Sequence, residues 1–521
     1  NPHVRFDEGE VAPATTPRRG SLLYKTTRRS FFRLSAAATF ATAGGRIAAA
    51  AGAPPLKLGI ISDVHINDTK EADFKFLVKA LEHFRDAHVD GVIIPGDIAD
   101  LGAIEEFEAA LEAWKRVFPG NRLPDGSPVE RLFIYGNHDC PPFSEDGNHV
   151  NVKSAKKRWP EDWKSHVISA DPAGAWKRLM GEDYAPIYAR KVKGYVFIGC
   201  HWGHEKELGA FLEANEAKLG LRGPKPFFYA QHPHPRDTVN SAHGSYSWGR
   251  DAGLSTAALA KYPNAVAFSG HSHYPLTNDQ TIWQGAFTSV GCSSTSYAGW
   301  LNGRDDGEWS PDECPEPVPV AARLRQQCRQ GMVLNVWPDR MIFERRDFVQ
   351  DAPLGPDWVC PLPACVDDAS RPYSFAASEA RAKIPSFVAG AVPAVEMRMG
   401  KNRKGKEGPI LAVKYPAARS NGPTGRLVEY EVTVENLKWG FTRIHTQKRA
   451  MAKGYCYADE TVIKEDECLF MQDELPLNTP VRFKVTPLNC FEKGGTPIFT
   501  KKMTLPVKMK PEAVGQSQKK A

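Results

Sequence analysis

Short apolar runs alternate with amphipathic stretches through the first two thirds of the chain. Positions 56–61, 91–94, 131–135, 195–198, 226–230 and 265–268 are brief apolar segments, the pattern of strands buried on both faces. Between the first three lie two helical patterns: Phe74, Leu77, Leu81 and Phe84 share one face, and Ile104, Phe107, Leu111, Trp114 and Phe118 share another. This strand–helix–strand rhythm predicts an α/β unit with a largely parallel core. A Pro-, Asp- and Glu-rich surface loop is expected over 302–322, and a closing hairpin over 331–335 and 341–344, turned at Pro338-Asp339. Residues 351–383 are Pro-rich and read as an irregular linker. Beyond them the period shortens to two. The runs 411–415, 427–434 and 481–486 are alternating or β-branched, predicting a small all-β sandwich over 384–507 and a polar tail over 508–521. No internal repeat is visible.

Composition sharpens this picture. With 521 residues, 42% hydrophobic and 25% charged, the chain is globular and long enough for more than one unit. No uncharged apolar run reaches the roughly 18–20 residues of a bilayer span, so no membrane span is expected in the mature chain. The net charge of +6 is unevenly spread: residues 1–53 hold eight Lys or Arg against three Asp or Glu, leaving 59 against 58 from Pro54 onward. The excess therefore argues for no stable nucleic-acid partner. It sits in a segment with the three parts of a secretory signal: basic residues, a weakly apolar Ala-rich run, and small residues near Ala51-Gly52-Ala53. Arg28-Arg29 followed by Phe31-Phe32 resembles the bacterial twin-arginine signal. That resemblance implies handling by the twin-arginine export machinery, a leader over 1–53, and a periplasmic or extracellular location. The first Met is Met180, so the start of the reading frame is open.

Ten of the fifteen histidines lie between His138 and His273, which confines imidazole chemistry to the α/β unit. Polar residues follow the apolar runs five times: Asp63-Val64-His65, Gly96-Asp97 with Asp100 three residues on, Gly136-Asn137-His138-Asp139, His232, and Gly270-His271-Ser272-His273. Ligands of open α/β sheets gather beyond the carboxyl ends of the strands, so these residues are expected to converge. A lone Asp-x-His is ordinarily a surface or capping feature, and a lone Gly-Asn-His-Asp a turn. All five at strand termini form a carboxylate, imidazole and amide set suited to transition metals. Seven candidate ligands exceed the needs of one open ion and fit two that share a carboxylate.

In these five blocks the chain resembles the calcineurin-like metallophosphoesterases, over roughly 55–350. The resemblance implies an α/β fold of two central mixed sheets flanked by helices over 54–350. It also implies two divalent or trivalent transition-metal ions (Mn, Fe, Zn or Ni). Asp63, His65 and His273 would hold one ion, Asn137, His232 and His271 the other, and Asp97 would bridge them. His138, with Asn137, would face the substrate, and His138 would protonate the leaving oxygen or stabilise the transition state, with Asp100 orienting it. Two ions about 3.5–4 Å apart clamp a phosphate and lower the pKa of a bridging water. An imidazole, which titrates near neutral pH, can protonate an alkoxide. In the purple acid phosphatase branch the position of Asp100 is a metal-binding Tyr and the first block lacks its His, so His65 and Asp100 argue against that branch.

The reading that results is an exported dinuclear-metal phosphoesterase acting on a small phosphate mono- or diester. The Gly-Asp-Ile-Ala-Asp form of the second block tilts it toward diesters. The alternatives are a secreted nuclease of the same superfamily and a non-catalytic surface-binding protein with a structural metal site. Among the remaining residues, His234 is expected as an exposed loop histidine, and His201 and His204 at the crevice rim. His243 is placed in a flap-like loop, and Trp283, Phe287, Tyr297 and Trp300 as core and wall. Cys140 reads as a buried small residue. Without a Cys-x-x-Cys pair a zinc ribbon is not expected. The local pairs Cys360–Cys365, Cys314–Cys328 and Cys456–Cys468 are the expected disulfides. Lys401, Arg403, Lys404 and Lys406 read as a solvated basic loop. The C-terminal unit resembles a fibronectin type III or immunoglobulin-like sandwich on pattern alone.

Overall fold

The computed structural model describes residues 54–507 except 69, 142–149, 243–248, 300–327, 402–406 and 438–440. The expected leader, the polar tail, the 302–322 loop, His243, Trp300, Cys314, Arg403, Lys404 and Lys406 lie outside the described residues.

The six apolar runs form strands, and they divide between two sheets. In the first sheet Leu56–Ile60, Gly91–Pro95 and Glu130–Ile134 run parallel, and Gln330–Val336 joins antiparallel beside Leu56–Ile60. Arg340–Asp347 closes the expected hairpin, with Leu334 opposite Phe343. In the second sheet Tyr195–Cys200, Phe227–Ala230, Ala265–Ser269 and Thr288–Gly291 are parallel, edged by antiparallel Ile187–Val192 and Ile282–Gln284. Both sheets are therefore mixed.

Their inner faces share one core. Leu58, Ile60, Ile93 and Ile134 of the first sheet pack in a cluster with Phe197, Phe228, Val266 and Phe268 of the second. Outside the first sheet, helices Glu71–Asp86, Ile104–Val117 and Pro172–Met180 bury Leu77, Leu81, Phe107, Trp114 and Trp176. Outside the second, Leu208–Leu219 and Leu254–Leu259 bury Leu208, Leu212 and Leu259. Strands buried on both faces need continuous apolar runs, and that is why the pattern was readable.

The stretch 351–383 departs from its reading as an irregular linker. Ala352–Pro353 and Trp358–Pro361 pair with Arg340–Asp347 and extend the first sheet, and Phe375–Arg381 is a short helix capped by the Ser374 hydroxyl. The C-terminal strands form two antiparallel sheets. Ala394–Lys401, Glu407–Pro416 and Glu465–Met471 make one; Arg443–Met451, Leu427–Asn436, Pro480–Asn489 and Ile498–Phe499 run across the other, with Met503–Thr504 also pairing Pro480–Asn489. Val413 and Phe470 of the first share a core cluster with Val432, Val434, Phe483 and Val485 of the second. Among the described residues no helix is long and apolar enough to cross a membrane.

Candidate metal centre

Beyond the carboxyl ends of three apolar strands, Leu56–Ile60, Gly91–Pro95 and Ala265–Ser269, the chain turns sharply. Asp63, His65, Asp97, His271 and His273 all have φ between 44° and 70°, the left-handed region. Such a backbone costs a non-glycine residue on the order of 1–3 kcal/mol, and it persists where surrounding structure over-determines it. Here it aims five side chains at one point. The neighbouring glycines leave room for them. A Cβ at Gly136 would lie 2.2 Å from the Asp97 Oδ1 and 2.4 Å from the Asp97 main-chain nitrogen; one at Gly270 would lie 2.1 Å from the Asp63 Oδ2. Gly136→Ala therefore displaces Asp97 and is expected to cost about 2 kcal/mol. Its melting temperature and its metal content after Mn²⁺ loading should both fall below wild type; equality in both would refute the steric reading.

Three groups of ligand atoms converge within 4.8 Å: Asp63 with His65 and His273; Asp97 with His232 and His271; and His65 with Asp97 and His138. Asp97 belongs to two of them. The His232 Nδ1 donates to the Pro95 carbonyl at 2.7 Å, so in the neutral ring Nε2 carries the lone pair, and it faces the Asp97 Oδ2 at 3.0 Å. The His273 Nδ1 likewise donates to the Tyr297 carbonyl at 3.1 Å, and its Nε2 faces the Asp63 Oδ1 at 3.0 Å. His65 and His273 bring their Nε2 atoms to 3.1 Å of each other. The Asn137 Oδ1 is buried without a hydrogen-bond partner. Ring nitrogens crowded against one another and against carboxylates in a buried pocket are stabilised by a cation between them, so these residues fit metal ions.

Charge coupling points the same way. Burial disfavours the imidazolium of His65, yet the surrounding carboxylates of Asp100, Asp97 and Asp63 raise its pKa to about 9. For His232, burial is again outweighed, by Asp97, Asp63 and the Pro95 carbonyl, and the pKa is also about 9. Burial alone would raise Asp63, but His273 and His232 hold it near 2, and Asp97 is held well below the ordinary range by His232, His138 and His65 against the same burial. Without metal, protons take the cation's place. Metal ligation needs neutral imidazole, and below about pH 9 both rings hold a proton that must leave. Apparent metal affinity should thus rise with pH up to about 9, with proton release on binding. Calorimetric titration of the metal-free chain with Mn²⁺ in buffers of different ionisation enthalpy tests this; identical heats in all buffers would count against it.

Residues 56–275 match the sequence model of the family described as calcineurin-like phosphoesterase. A calcineurin-like metallophosphoesterase domain spans them. Members of this family typically use a dinuclear metal centre, and the three candidate ligand groups all fall within that span. Comparison with curated proteins gives no match. Solved structures similar to the chain include a dimetal phosphatase from Danio rerio, with 12% identity and a TM-score of 0.35, covering 59% of this chain and 98% of that one. A purple acid phosphatase from yellow lupin, Lupinus luteus, has 14% identity and a TM-score of 0.37, covering 58% of this chain and 53% of that one. GAP50, the anchor in the inner membrane complex of Plasmodium, has 13% identity and a TM-score of 0.32, covering 59% and 88%.

Within the phosphoesterase domain, Asp100 departs from its expected arrangement. The His138 Nδ1 donates to the main-chain carbonyl of Asp100 at 2.7 Å. The Asp100 carboxylate instead lies 3.5 Å from the His65 Nδ1 and accepts from Asn67 at 3.2 Å. Asp100 thus orients His138 through its backbone and His65 through its side chain. Asp139, to which sequence reasoning gave no role, joins two loops: Oδ1 accepts from the Ala99 N–H at 2.7 Å and Oδ2 from Gly136 at 2.8 Å. Burial, with Asp97 nearby, pushes its carboxyl up to about 7. Trp202, also unanticipated, packs its ring against His232 and His271, while Tyr297 lies against His65 and His273. The signal for Trp202 was its position just past the strand at 195–200.

His234 is a correction. It is buried, with its ring nitrogens 2.7 Å from the Ser269 hydroxyl and 2.6 Å from that of Ser272, and burial holds its pKa near 3. His201 is likewise buried rather than at the rim: its Nδ1 accepts from the Tyr135 N–H at 3.0 Å, and Trp176 and Tyr184 flank the ring. His204 is half-buried beside Tyr184 and Glu207. Trp283 and Phe287 pack together at the second sheet's outer core. Cys140 is half-buried, its thiol pushed up to about 12 by burial. The described cysteines all carry free thiols in this structure, Cys360, Cys365, Cys456 and Cys468 among them.

Proposed function

We propose that the chain is an exported dinuclear-metal phosphoesterase that hydrolyses small phosphate mono- or diesters. The observation that carries this reading is the convergence of the His232 and His273 Nε2 lone pairs on the buried carboxylates of Asp97 and Asp63, with Asp97 shared between two ligand groups. Asp63, His65 and His273 would hold one ion and Asn137, His232 and His271 the other, with Asp97 between them. When bound, the ions would neutralise phosphoryl oxygens and lower the pKa of a coordinated water.

The chain's own residues do the rest. Asp97 accepts the His138 main-chain N–H at 2.8 Å, which couples the proposed bridge to the acid's position. The His138 Nδ1–H is committed to the Asp100 carbonyl, so Nε2 is the atom that exchanges a proton with the leaving oxygen. Trp202 and Tyr297 wall the centre and limit water. The two C-terminal sheets, sharing one core, are read as a fibronectin III- or immunoglobulin-like sandwich that packs on the phosphoesterase domain. Export rests on the Arg28-Arg29 segment and carries the twin-arginine machinery as partner. Hydrolysis of bis(p-nitrophenyl) phosphate and p-nitrophenyl phosphate by the full chain, with Mn²⁺ added, tests the activity. Absence of turnover on both, in protein shown to contain metal, would reject it.

A further inference from the structure

Cys328 and Cys456 lie 128 positions apart, yet their sulfurs meet at 3.3 Å and both side chains are fully buried. One precedes the strand Gln330–Val336 of the phosphoesterase domain; the other lies in the loop that follows Arg443–Met451 of the C-terminal unit. The backbone on both sides is held. The Gln330 side chain donates to the Cys456 carbonyl at 2.8 Å and accepts from the Leu276 N–H at 2.8 Å. The Thr277 hydroxyl donates to the Tyr455 carbonyl at 2.8 Å, and the Ala458 N–H to Gln350 at 2.9 Å. The Arg329 guanidinium donates to the Thr295 carbonyl at 2.7 Å. These contacts hold the two segments that place the thiols against each other. The pair does not make a zinc site, since four ligands are needed and, among the described residues, no metal-binding group of three includes either sulfur.

We infer that Cys328 and Cys456 close into a disulfide that staples the C-terminal unit to the phosphoesterase domain beside the metal centre. A bonded pair has its sulfurs about 2.05 Å apart, so closure asks for an approach of about 1.3 Å, within reach of small side-chain rotations. The two S–H bonds break and one S–S bond forms. Two protons and two electrons pass to a disulfide oxidant, such as oxidised glutathione, which is reduced to two thiols. The staple has a local consequence. Tyr455, next to Cys456, donates its hydroxyl to the Gly299 carbonyl, and the Gly299 N–H donates to the His273 carbonyl at 2.7 Å. Fixing the 452–458 loop therefore supports the wall that carries His273 and Tyr297.

The test is a peptide map of the full chain refolded from its reduced, denatured state in a buffer of oxidised and reduced glutathione, then denatured and alkylated without reductant. The expected result is a linked Cys328–Cys456 peptide that separates into two alkylated peptides after reduction. Reduction should also lower the Tm of the wild type by about 5–10 °C. Cys328→Ser and Cys456→Ser variants should start at the lower value and not respond to reductant. Both cysteines alkylated in the oxidised sample, or Cys456 linked to Cys468, would overturn the assignment. A linked peptide with an unmoved Tm on reduction would overturn the stapling role. Both readouts are independent of enzymatic activity.

Discussion

Asp97→Asn should lower phosphodiester hydrolysis by about 10³-fold or more, with metal content falling in parallel. The substitution is nearly isosteric, and an amide oxygen can still accept the His138 main-chain N–H that the carboxylate holds at 2.8 Å. What it removes is charge. The Asp97 Oδ2 lies 3.0 Å from the His232 Nε2 and 3.7 Å from the His65 Nε2, between the two ligand groups. Two cations drawn together in a buried pocket need that negative charge, and of the carboxylates within the proposed ligand set only Asp63 is left to offset them. Initial rates on bis(p-nitrophenyl) phosphate and metal content per chain, measured on the same preparation, check the prediction. Wild-type rate and metal content together would remove Asp97 from its bridging role and the dinuclear mechanism with it.

His138→Ala should behave differently. A loss of about 10²–10⁴-fold in kcat is expected for removal of a general acid, with metal content unchanged. The reason is geometric: the hydrogen bond to Asp97 comes from the main chain of residue 138, so it survives truncation of the ring. The deficit should be largest for esters with alkyl leaving groups, which need a proton, and smallest for p-nitrophenolate, which leaves without one. His138 also lies in one ligand-atom group with His65 and Asp97. If the alanine variant lost metal and showed an equal deficit for both leaving groups, the ring would be a ligand and not the acid.

How much of this was open to inspection beforehand can be judged residue by residue. The six apolar runs all became strands, because a strand covered on both faces must be apolar at every position. The helix faces built on Phe74 and Phe107 were likewise readable, since their period is local. The C-terminal strands 394–401, 443–451 and 465–471 were not anticipated. Arg443–Met451 exposes Arg443, Ile444 and His445 and carries charge at Lys448 and Arg449, so its sequence lacks the alternation that marks a half-buried strand. The convergence of Asp63, His65, Asp97, His138, His232, His271 and His273 followed from placing each just beyond a strand end.

Placement along the chain says nothing about partners, and the departures lie there. His234 and His201 look like neighbouring histidines in polar loops, yet both are buried: what covers a loop is supplied by segments distant in sequence. Asp100 was correctly expected near His138, but which of its oxygens reaches the ring depends on a turn whose torsions no residue type dictates. The left-handed backbone at Asp63, His65, Asp97, His271 and His273 is invisible for the same reason, since only glycine advertises such angles. Cysteine pairing is the clearest case. Proximity in sequence favoured partners 5 to 14 positions apart, whereas the fold brings Cys328 against Cys456 across two units. Hydrophobic period and strand-end chemistry are properties of a local window, so the sequence already carries the two-layer core and the candidate ligands that cluster at its edge. Tautomers, charge coupling and thiol partners are properties of distances between segments, and those exist only once the sheets have packed.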